Sequence, residues 1–121
     1  MKYLLMIYGN QTTWDSWSDE DVRSVLGAHE RLQAELTASG ELVGSAGLTT
    51  AGARSVRVTD GIPAVTDGPF TEAKEVLAGY YLVECDSVER ATEIAARLPE
   101  ARYDPVEVRR MMDPDEFGMK T

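Results

Sequence analysis

Short apolar segments separated by polar ones run along the whole chain, and the spacing of the apolar residues predicts the structural elements. Residues 2–8 read KYLLMIY, and residues 78–85 read AGYYLVEC. Side chains alternate between the two sides of a strand, and both segments carry large apolar residues on each side. We therefore predict two strands that need to be covered on both faces.

Two further segments show the three- and four-residue spacing of amphipathic helices. The first begins at a capping box formed by Ser18 and Asp21. Its apolar stripe includes one histidine and is expected to face the core: Val22, Val25, Leu26, His29, Leu32 and Leu36. The second helix begins at Asp86 or Ser87 and ends at Pro99. Its predicted buried stripe is Val88, Ala91, Ile94, Ala95 and Leu98.

The remaining segments complete an α+β fold. Residues 41–49 and 104–111 are predicted strands, and residues 54–66 form a hairpin around Asp60-Gly61, a pair that suits a two-residue turn. The order is the ferredoxin-like βαββαβ arrangement with an inserted β-hairpin. Two helices can cover only one face of such a sheet, so we expect the other face to pack against a second copy in a homodimer.

Composition and charge narrow the range of partners. The 121 residues suit one domain, predicted to span residues 1–112, with a polar tail at 113–121. A net charge of −9 argues against nucleic acid, because 21 acidic residues outnumber 12 basic ones. The longest apolar run is too short to cross a membrane, and no secretory signal is recognisable. One cysteine permits no internal disulfide, so we expect a cytoplasmic protein that binds a small molecule or another protein.

The chain has one histidine, and it is the strongest candidate for chemistry. His29 lies within the apolar stripe of the first helix, and a histidine side chain suits proton transfer near neutral pH. A core or interface histidine satisfied by one hydrogen bond explains the same position. Asp67 opens an Asp-Gly-Pro-Phe loop, where its carboxylate either orients His29, contacts a substrate, or bonds the backbone of its own loop.

Further polar residues are candidates for substrate binding. Tyr8, Ser45, Tyr80 and Tyr81 lie on predicted strands or their ends, where one tyrosine from each strand offers a hydroxyl group to a cleft, although simple packing explains them as well. Tyr80 is the candidate chosen from its strand, beside Tyr8 and Ser45. Lys74 either holds a substrate anion or faces solvent. One histidine and one cysteine are too few for a zinc site, and no glycine-rich nucleotide motif occurs, so we predict neither a metal nor a cofactor.

Four stretches of the chain together resemble YCII-related proteins of the DGPF branch: MKYLLMIYG, AHERLQAELTASGELVGSAGL, VTDGPFTEAKEVLAGYYLVE and AARLPEARYDPVEVRRM. The resemblance runs through nearly all of residues 1–112. It implies a ferredoxin-like subunit that pairs into a dimeric α/β-barrel-type assembly.

The resemblance also bears on the candidate site. In that family a helical histidine belongs to an acid/base site, and this role falls on His29. The family pattern around the histidine is matched by His29, Gly40, Leu42 and Gly47. The family often has an Asp-Pro-aromatic step after its second helix, whereas this chain reads Leu98-Pro99-Glu100, so the role of that aspartate is not carried over. The loop of Asp67 matches the DGPF branch, and its pairing with His29 is inferred from this chain alone.

Two functions follow from the sequence. The first is a metal-independent acid/base enzyme that performs an elimination or an isomerisation on a small polar or anionic molecule. In it His29 is the acid or base, Asp67 orients it, and Lys74 or Tyr80 holds developing negative charge. The second is a non-catalytic ligand-binding or regulatory module, since the resemblance associates the DGPF branch with extracytoplasmic-function sigma factors.

Overall fold

A four-stranded antiparallel sheet packed against two helices forms the body of the protein. The computed structural model describes residues 1–69 and 75–118. In chain order its elements are β1 (Lys2–Gly9), α1 (Gln11–Asp15), α2 (Asp19–Ala38), β2 (Leu42–Gly47), β3 (Arg54–Thr59), β4 (Ile62–Asp67), β5 (Val76–Glu84), α3 (Val88–Ala96) and β6 (Val106–Arg110), with short 3-10 turns at Pro99–Arg102 and Pro114–Phe117. The strand order in the main sheet is β2-β5-β1-β6, and neighbouring strands are antiparallel. The predicted α+β class is confirmed.

The core lies between the main sheet and the helices α2 and α3. Because side chains alternate along a strand, every second residue of β1 points into this core. Leu5 of β1 and Val83 of β5 are fully buried, and they belong to one cluster with Leu32 of α2 and Ile94 of α3. The apolar stripe predicted for α3 is buried except at its first residue, Val88.

The opposite face of the sheet carries large apolar side chains that stay partly exposed. Leu4 pairs with Leu82 and Met6 pairs with Tyr80 across β1 and β5, and all four residues are half-buried. The two strands are therefore apolar on both faces, as their sequences predict. Within one chain, the helices fully bury only one of these faces.

The first long helix begins as predicted but buries a shorter stripe. The Ser18 hydroxyl accepts a hydrogen bond from the backbone of Asp21, whose carboxylate accepts one from the backbone of Ser18. Val25, Leu32 and Leu36 are buried, whereas Val22 and Leu26 are 41% and 57% exposed. The prediction that the whole stripe faces the core is corrected, because Leu26 borders a cavity and not the packed sheet, and Val22, in the first turn of α2, lies at the surface.

The inserted hairpin is confirmed, and it forms a sheet of its own. Asp60 and Gly61 have φ values of 52° and 77°, so both turn residues adopt the left-handed conformation that such turns require. Val56 pairs with Val65 and Val58 pairs with Pro63, which is the predicted register. Nearly every residue of β3 and β4 is exposed. The hairpin is therefore an exposed arm whose valines are not covered within this chain.

The short helix α1 was not predicted, because the polar segment after β1 lacks an apolar stripe. It forms because the side chain of Asn10 caps its first turn by accepting a hydrogen bond from the backbone of Thr13 at 2.8 Å. The ring of Trp14 lies against Gly9, where a Cβ atom would come within 2.6 Å of the indole. The helix thus brings Trp14 back over the end of β1.

The two loop residues Phe70 and Lys74 lie outside the described residues. Part of the predicted polar tail forms the turn Pro114–Phe117, and Glu116 in this turn makes an ion pair with Arg110 at the end of β6. In residues 1–69 and 75–118, no helix combines the length and the apolar composition needed to span a membrane.

Candidate functional site

A cavity of about 780 Å³ lies beside the N-terminal half of α2 and contains the histidine. Its walls come from the end of β1, from α1 and α2, from the second half of β2 and the segment after it, and from β5. Ligand sites of single domains commonly have volumes of about 300–1,000 Å³. The cavity therefore has the size of a site for a small organic molecule.

Both ring nitrogens of His29 are engaged at the wall of this cavity. Nδ1 lies 2.7 Å from the hydroxyl oxygen of Tyr81 on β5, and Nε2 lies 2.7 Å from Oε2 of Glu100 in the turn after α3. The side chains of His29 and Glu100 are only 16% and 17% exposed. Three separate elements thus meet in a carboxylate–imidazole–phenol chain.

The chemistry of the partners fixes the direction of these hydrogen bonds. An ionised carboxylate only accepts, so the Nε2–H group of His29 donates to Glu100. In a neutral imidazole the other nitrogen is an acceptor, and the Tyr81 hydroxyl therefore donates to Nδ1. When His29 is protonated, Nδ1–H donates to the Tyr81 oxygen instead, and the phenolic proton can turn towards the cavity. The state of the imidazole thus controls what Tyr81 presents to a ligand.

Gln33 and Ser45 complete the polar end of the cavity. Gln33 lies one helical turn after His29, so both side chains emerge from the same face of α2, and its Nε2 donates to the Tyr81 oxygen at 3.1 Å. Ser45 pairs directly with Tyr81 across β2 and β5 and also lines the cavity. The Tyr81 hydroxyl is therefore held by two partners from α2, His29 and Gln33.

Burial shapes the acidity of the phenol. Removal from water raises the pKa of Tyr81 above its ordinary value, and the negative charge of Glu100 raises it as well, while the hydrogen bond from Gln33 acts in the opposite direction. Burial dominates these effects, so Tyr81 stays protonated at neutral pH. It is suited to donating a hydrogen bond or a proton.

Two polar atoms of cavity-lining residues are buried without a hydrogen-bond partner in the described part of the chain. They are Nε1 of Trp17, which is a donor, and Oε1 of Glu100, which is an acceptor. The Trp17 ring also packs against Tyr103, with the ring centres 5.3 Å apart. Buried polar atoms of this kind are uncommon in folded proteins and tend to mark functional positions.

The structure places the predicted site residues in different regions. Ser45 and Tyr8 both line the cavity, but the Tyr8 hydroxyl donates to Glu107 on β6 at 3.2 Å. Tyr80 is next to Tyr81 in sequence and therefore points to the opposite face of the sheet, away from the cavity. Lys74 lies outside the described residues.

Within this chain Asp67 forms no hydrogen bond with His29, whose two ring nitrogens bond Tyr81 and Glu100. It is exposed at the end of β4, opposite Arg54 of β3 in the register of the hairpin, and it does not line the cavity. Glu100 occupies the position beside the imidazole that the sequence analysis assigned to Asp67. The physical reason is that the two-stranded sheet is separate from the main sheet, whereas the turn Pro99–Arg102 contacts α2 directly.

Sequence reasoning chose Tyr80 over its neighbour Tyr81 and missed Glu100, and each residue left a signal. Tyr81 alternates with Val83 and Cys85 along the chain and so points to the same face, and both of those residues are buried on the helix side. Glu100 directly follows Pro99, the residue predicted to end the second helix, and helices that cover one sheet face bring their ends close together. The parity of the strand and the position after the proline would have pointed to the observed partners of His29.

In residues 1–69 and 75–118, no group of three or more His, Cys, Asp or Glu side chains is arranged to hold a metal ion. Cys85 is buried, as expected from its strand position, and burial raises the pKa of its thiol. The reactive groups at the cavity are thus those of the His29 network.

Comparison with known proteins identifies the family. The model of the YCII-related domain matches residues 1–115, which include every member of the His29 network. An uncharacterized protein of Rhizobium meliloti (strain 1021) is 33% identical over 102 residues, which is 84% of this chain and 82% of that protein. The chain therefore belongs to the YCII-related domain family.

Proposed function

We propose that this protein is an acid/base enzyme that performs an elimination or an isomerisation on a small organic molecule. The supporting observation is the chain of two 2.7 Å hydrogen bonds from Glu100 through His29 to Tyr81 at the wall of a cavity. A carboxylate that orients an imidazole, which in turn bonds a hydroxyl, is a recurrent arrangement for moving a proton.

In the proposed reaction Tyr81 is the group that touches the substrate, and His29 acts behind it. As the phenolic proton passes to a substrate oxygen, the Nδ1 proton of a protonated His29 passes to the Tyr81 oxygen. Tyr81 then remains neutral, which its raised pKa favours, and His29 becomes neutral while still donating to Glu100. The reverse transfers let the same groups accept a proton from the substrate. Ser45 is positioned to bind the substrate next to Tyr81.

Solvent deuterium exchange tests the proposal without a known product. A panel of small ketones, hydroxy acids and amides is incubated with the protein in D₂O, and loss of C–H signals is followed by proton NMR. For any compound that exchanges, we expect His29→Ala and Glu100→Gln to lower the rate, the former by about 10²–10⁴-fold. Glu107→Gln is the matched control, since Glu107 is exposed on the edge strand β6 and its one side-chain hydrogen bond within residues 1–69 and 75–118 is with Tyr8. Exchange that survives unchanged in His29→Ala would refute the proposed role.

We also propose that the subunit is ferredoxin-like and that it forms a homodimer through the open face of its sheet. The order β2-β5-β1-β6, with helices after the first and third of these strands in sequence, supports the topology. Leu4, Met6, Tyr80 and Leu82 supply an apolar surface on that face, which a second copy would bury. Light scattering at micromolar concentration tests the dimer, and a monomer in wild type, or a Leu82→Lys variant that stays dimeric, would contradict this interface.

A non-catalytic regulatory module is the second candidate, because the exposed valines of the hairpin offer a surface to a protein partner. The DGPF assignment, which rests on the segment that starts at Asp67, suggests an extracytoplasmic-function sigma factor. Capture of such a factor from the native host by the wild type, and its loss in a Val56→Asp/Val65→Asp variant, would favour this function. Capture that is independent of the hairpin would not.

A further inference from the structure

The cavity walls are mainly apolar. The part of the chain from β1 to α2 contributes two indole rings and several aliphatic groups to these walls: Ile7, Trp14, Trp17, Val25 and Leu26. Leu26 and Leu48 line the cavity and are also 57% and 43% exposed, so the apolar surface continues out to solvent. In ligand sites such walls accept the apolar body of a molecule, and a few polar groups fix its orientation.

The charged groups that line the cavity do not favour the binding of an anion. Among the lining residues that the structure describes, Glu100 is the one carboxylate and there is no lysine or arginine. An anion that entered would lose hydration and would find the positive charge of a protonated His29 already paired with Glu100 at 2.7 Å. The whole chain, with a net charge of −9, adds to the repulsion.

A cation gains little in the same place. The carboxylate of Glu100 already accepts from His29 through Oε2, and its Oε1 atom is buried from solvent. The groups that remain available to a ligand are therefore neutral hydrogen-bonding groups, above all the hydroxyls of Tyr81 and Ser45.

We infer that the cavity binds an uncharged, mainly apolar molecule with a single hydrogen-bonding oxygen, which is held at Tyr81. This ligand differs from the small polar or anionic substrate expected from the sequence, and the inference rests on the proposed function for the role of Tyr81. When His29 is protonated, its Nδ1–H donates to the Tyr81 oxygen, and the oxygen of the ligand accepts the phenolic proton that this frees. The apolar body of the ligand then lies between the tryptophans and the aliphatic rim.

Three molecules of nearly equal shape separate the possible charges: naphthalene-2-carboxamide, the naphthalene-2-carboxylate anion and the naphthalene-2-carboxamidinium cation. Trp14 and Trp17 are the two tryptophans of the chain and both line the cavity, so their indole N–H resonances in a ¹⁵N-labelled, tag-free protein report binding there. We expect the carboxamide to shift both resonances and to bind at least on the order of tenfold more tightly than either charged molecule. Glu100→Gln should reduce the difference in binding affinity between the carboxamide and the carboxylate.

Each other outcome overturns the inference. Tightest binding of the carboxylate, lost in Lys74→Ala, would show that Lys74 brings a cation to the site. Tightest binding of the amidinium would show that the cavity takes an amine. Equal binding of all three molecules would show that the cavity does not select by charge, and binding of none would show that the cavity is not a site for such a ligand. The deuterium-exchange test is separate, because selective carboxamide binding without any exchange that depends on His29 would leave this inference standing and refute the enzyme.

Discussion

Substitution of Tyr81 by phenylalanine tests the network at its central hydroxyl. The change removes one oxygen atom that bonds His29 at 2.7 Å and Gln33 at 3.1 Å, and it leaves the ring in place against the core. A hydrogen bond contributes about 1 kcal/mol net, and a buried partner left unpaired costs about 1–3 kcal/mol. Because both partners border a cavity that can admit water, we expect the lower part of this range, a loss of about 1–2 kcal/mol in the free energy of unfolding.

The neighbouring residue supplies a matched control. Tyr80 is on the same strand but on the opposite face, and its hydroxyl has no hydrogen bond within the described residues. Tyr80→Phe should therefore change the free energy of unfolding by less than about 0.5 kcal/mol. Urea unfolding followed by circular dichroism, at a protein concentration that is kept constant because a dimer would link stability to concentration, measures both variants.

The alkaline range gives a second reading of Tyr81→Phe. The pKa of Tyr81 is raised in the folded protein, so the folded state holds the phenolic proton longer than the unfolded state. Stability therefore falls as the pH rises above about 10 and through the folded pKa. Tyr81→Phe lacks this fall, so the difference in the free energy of unfolding between the variant and the wild type should become smaller above about pH 10. Equal losses in Tyr80→Phe and Tyr81→Phe, or a gap that is constant with pH, would refute the assigned hydrogen bonds.

Two further predictions concern the frame around the site. Arg90 forms a two-pronged ion pair with Glu41 and lowers the pKa of that carboxylate to about 2. The ion pair therefore stabilises the folded state above the ordinary pKa near 4.5, and this stabilisation is lost as the pH falls towards 2. Glu41→Gln should lower the free energy of unfolding by about 1 kcal/mol at pH 7, after allowance for solvent screening, and by progressively less in acid unfolding curves. Gly79→Ala places a methyl group 2.9 Å from the carbonyl oxygen of Ala46 and should cost about 1–3 kcal/mol in urea unfolding, whereas Gly44→Ala, with no atom within 4 Å, should cost much less. An unchanged acid profile in Glu41→Gln, or equal losses in the two glycine variants, would contradict these accounts.

The sequence was sufficient for the elements because local signals agreed with the fold. The capping box at Ser18 and the turn at Asp60-Gly61 each satisfy backbone groups nearby, and both are present where they were predicted. The stripe of α2 was less predictable, since periodicity shows which side of a helix is apolar but not what lies beneath it. Leu26 follows the core spacing and yet borders a cavity, because an apolar ligand wall and an apolar core require the same residue types.

The site was harder to predict than the fold, because its members come from three distant parts of the chain. His29 could be recognised by its type and its helical position, whereas Glu100 is separated from it by 71 residues and by the path of α3. Asp67 was the more conspicuous acid in the sequence, since it opens a distinctive loop. Its hairpin pairs only with itself, and a pattern read along the chain does not reveal that the two-stranded sheet stands apart from the main one.

The occupied nitrogens of His29 change what the histidine can do. An imidazole that donates through Nε2 and bonds Tyr81 through Nδ1 has no free position for a substrate, so direct attack on a ligand proton would first require one of two 2.7 Å hydrogen bonds to break. Transfer through Tyr81 requires no such break, since the proton that passes between His29 and Tyr81 moves along a hydrogen bond that already exists. The two residues then act as one unit, and substitution of either interrupts the same path. The geometry thus favours His29 as the proton reservoir and Tyr81 as the group in contact with the ligand.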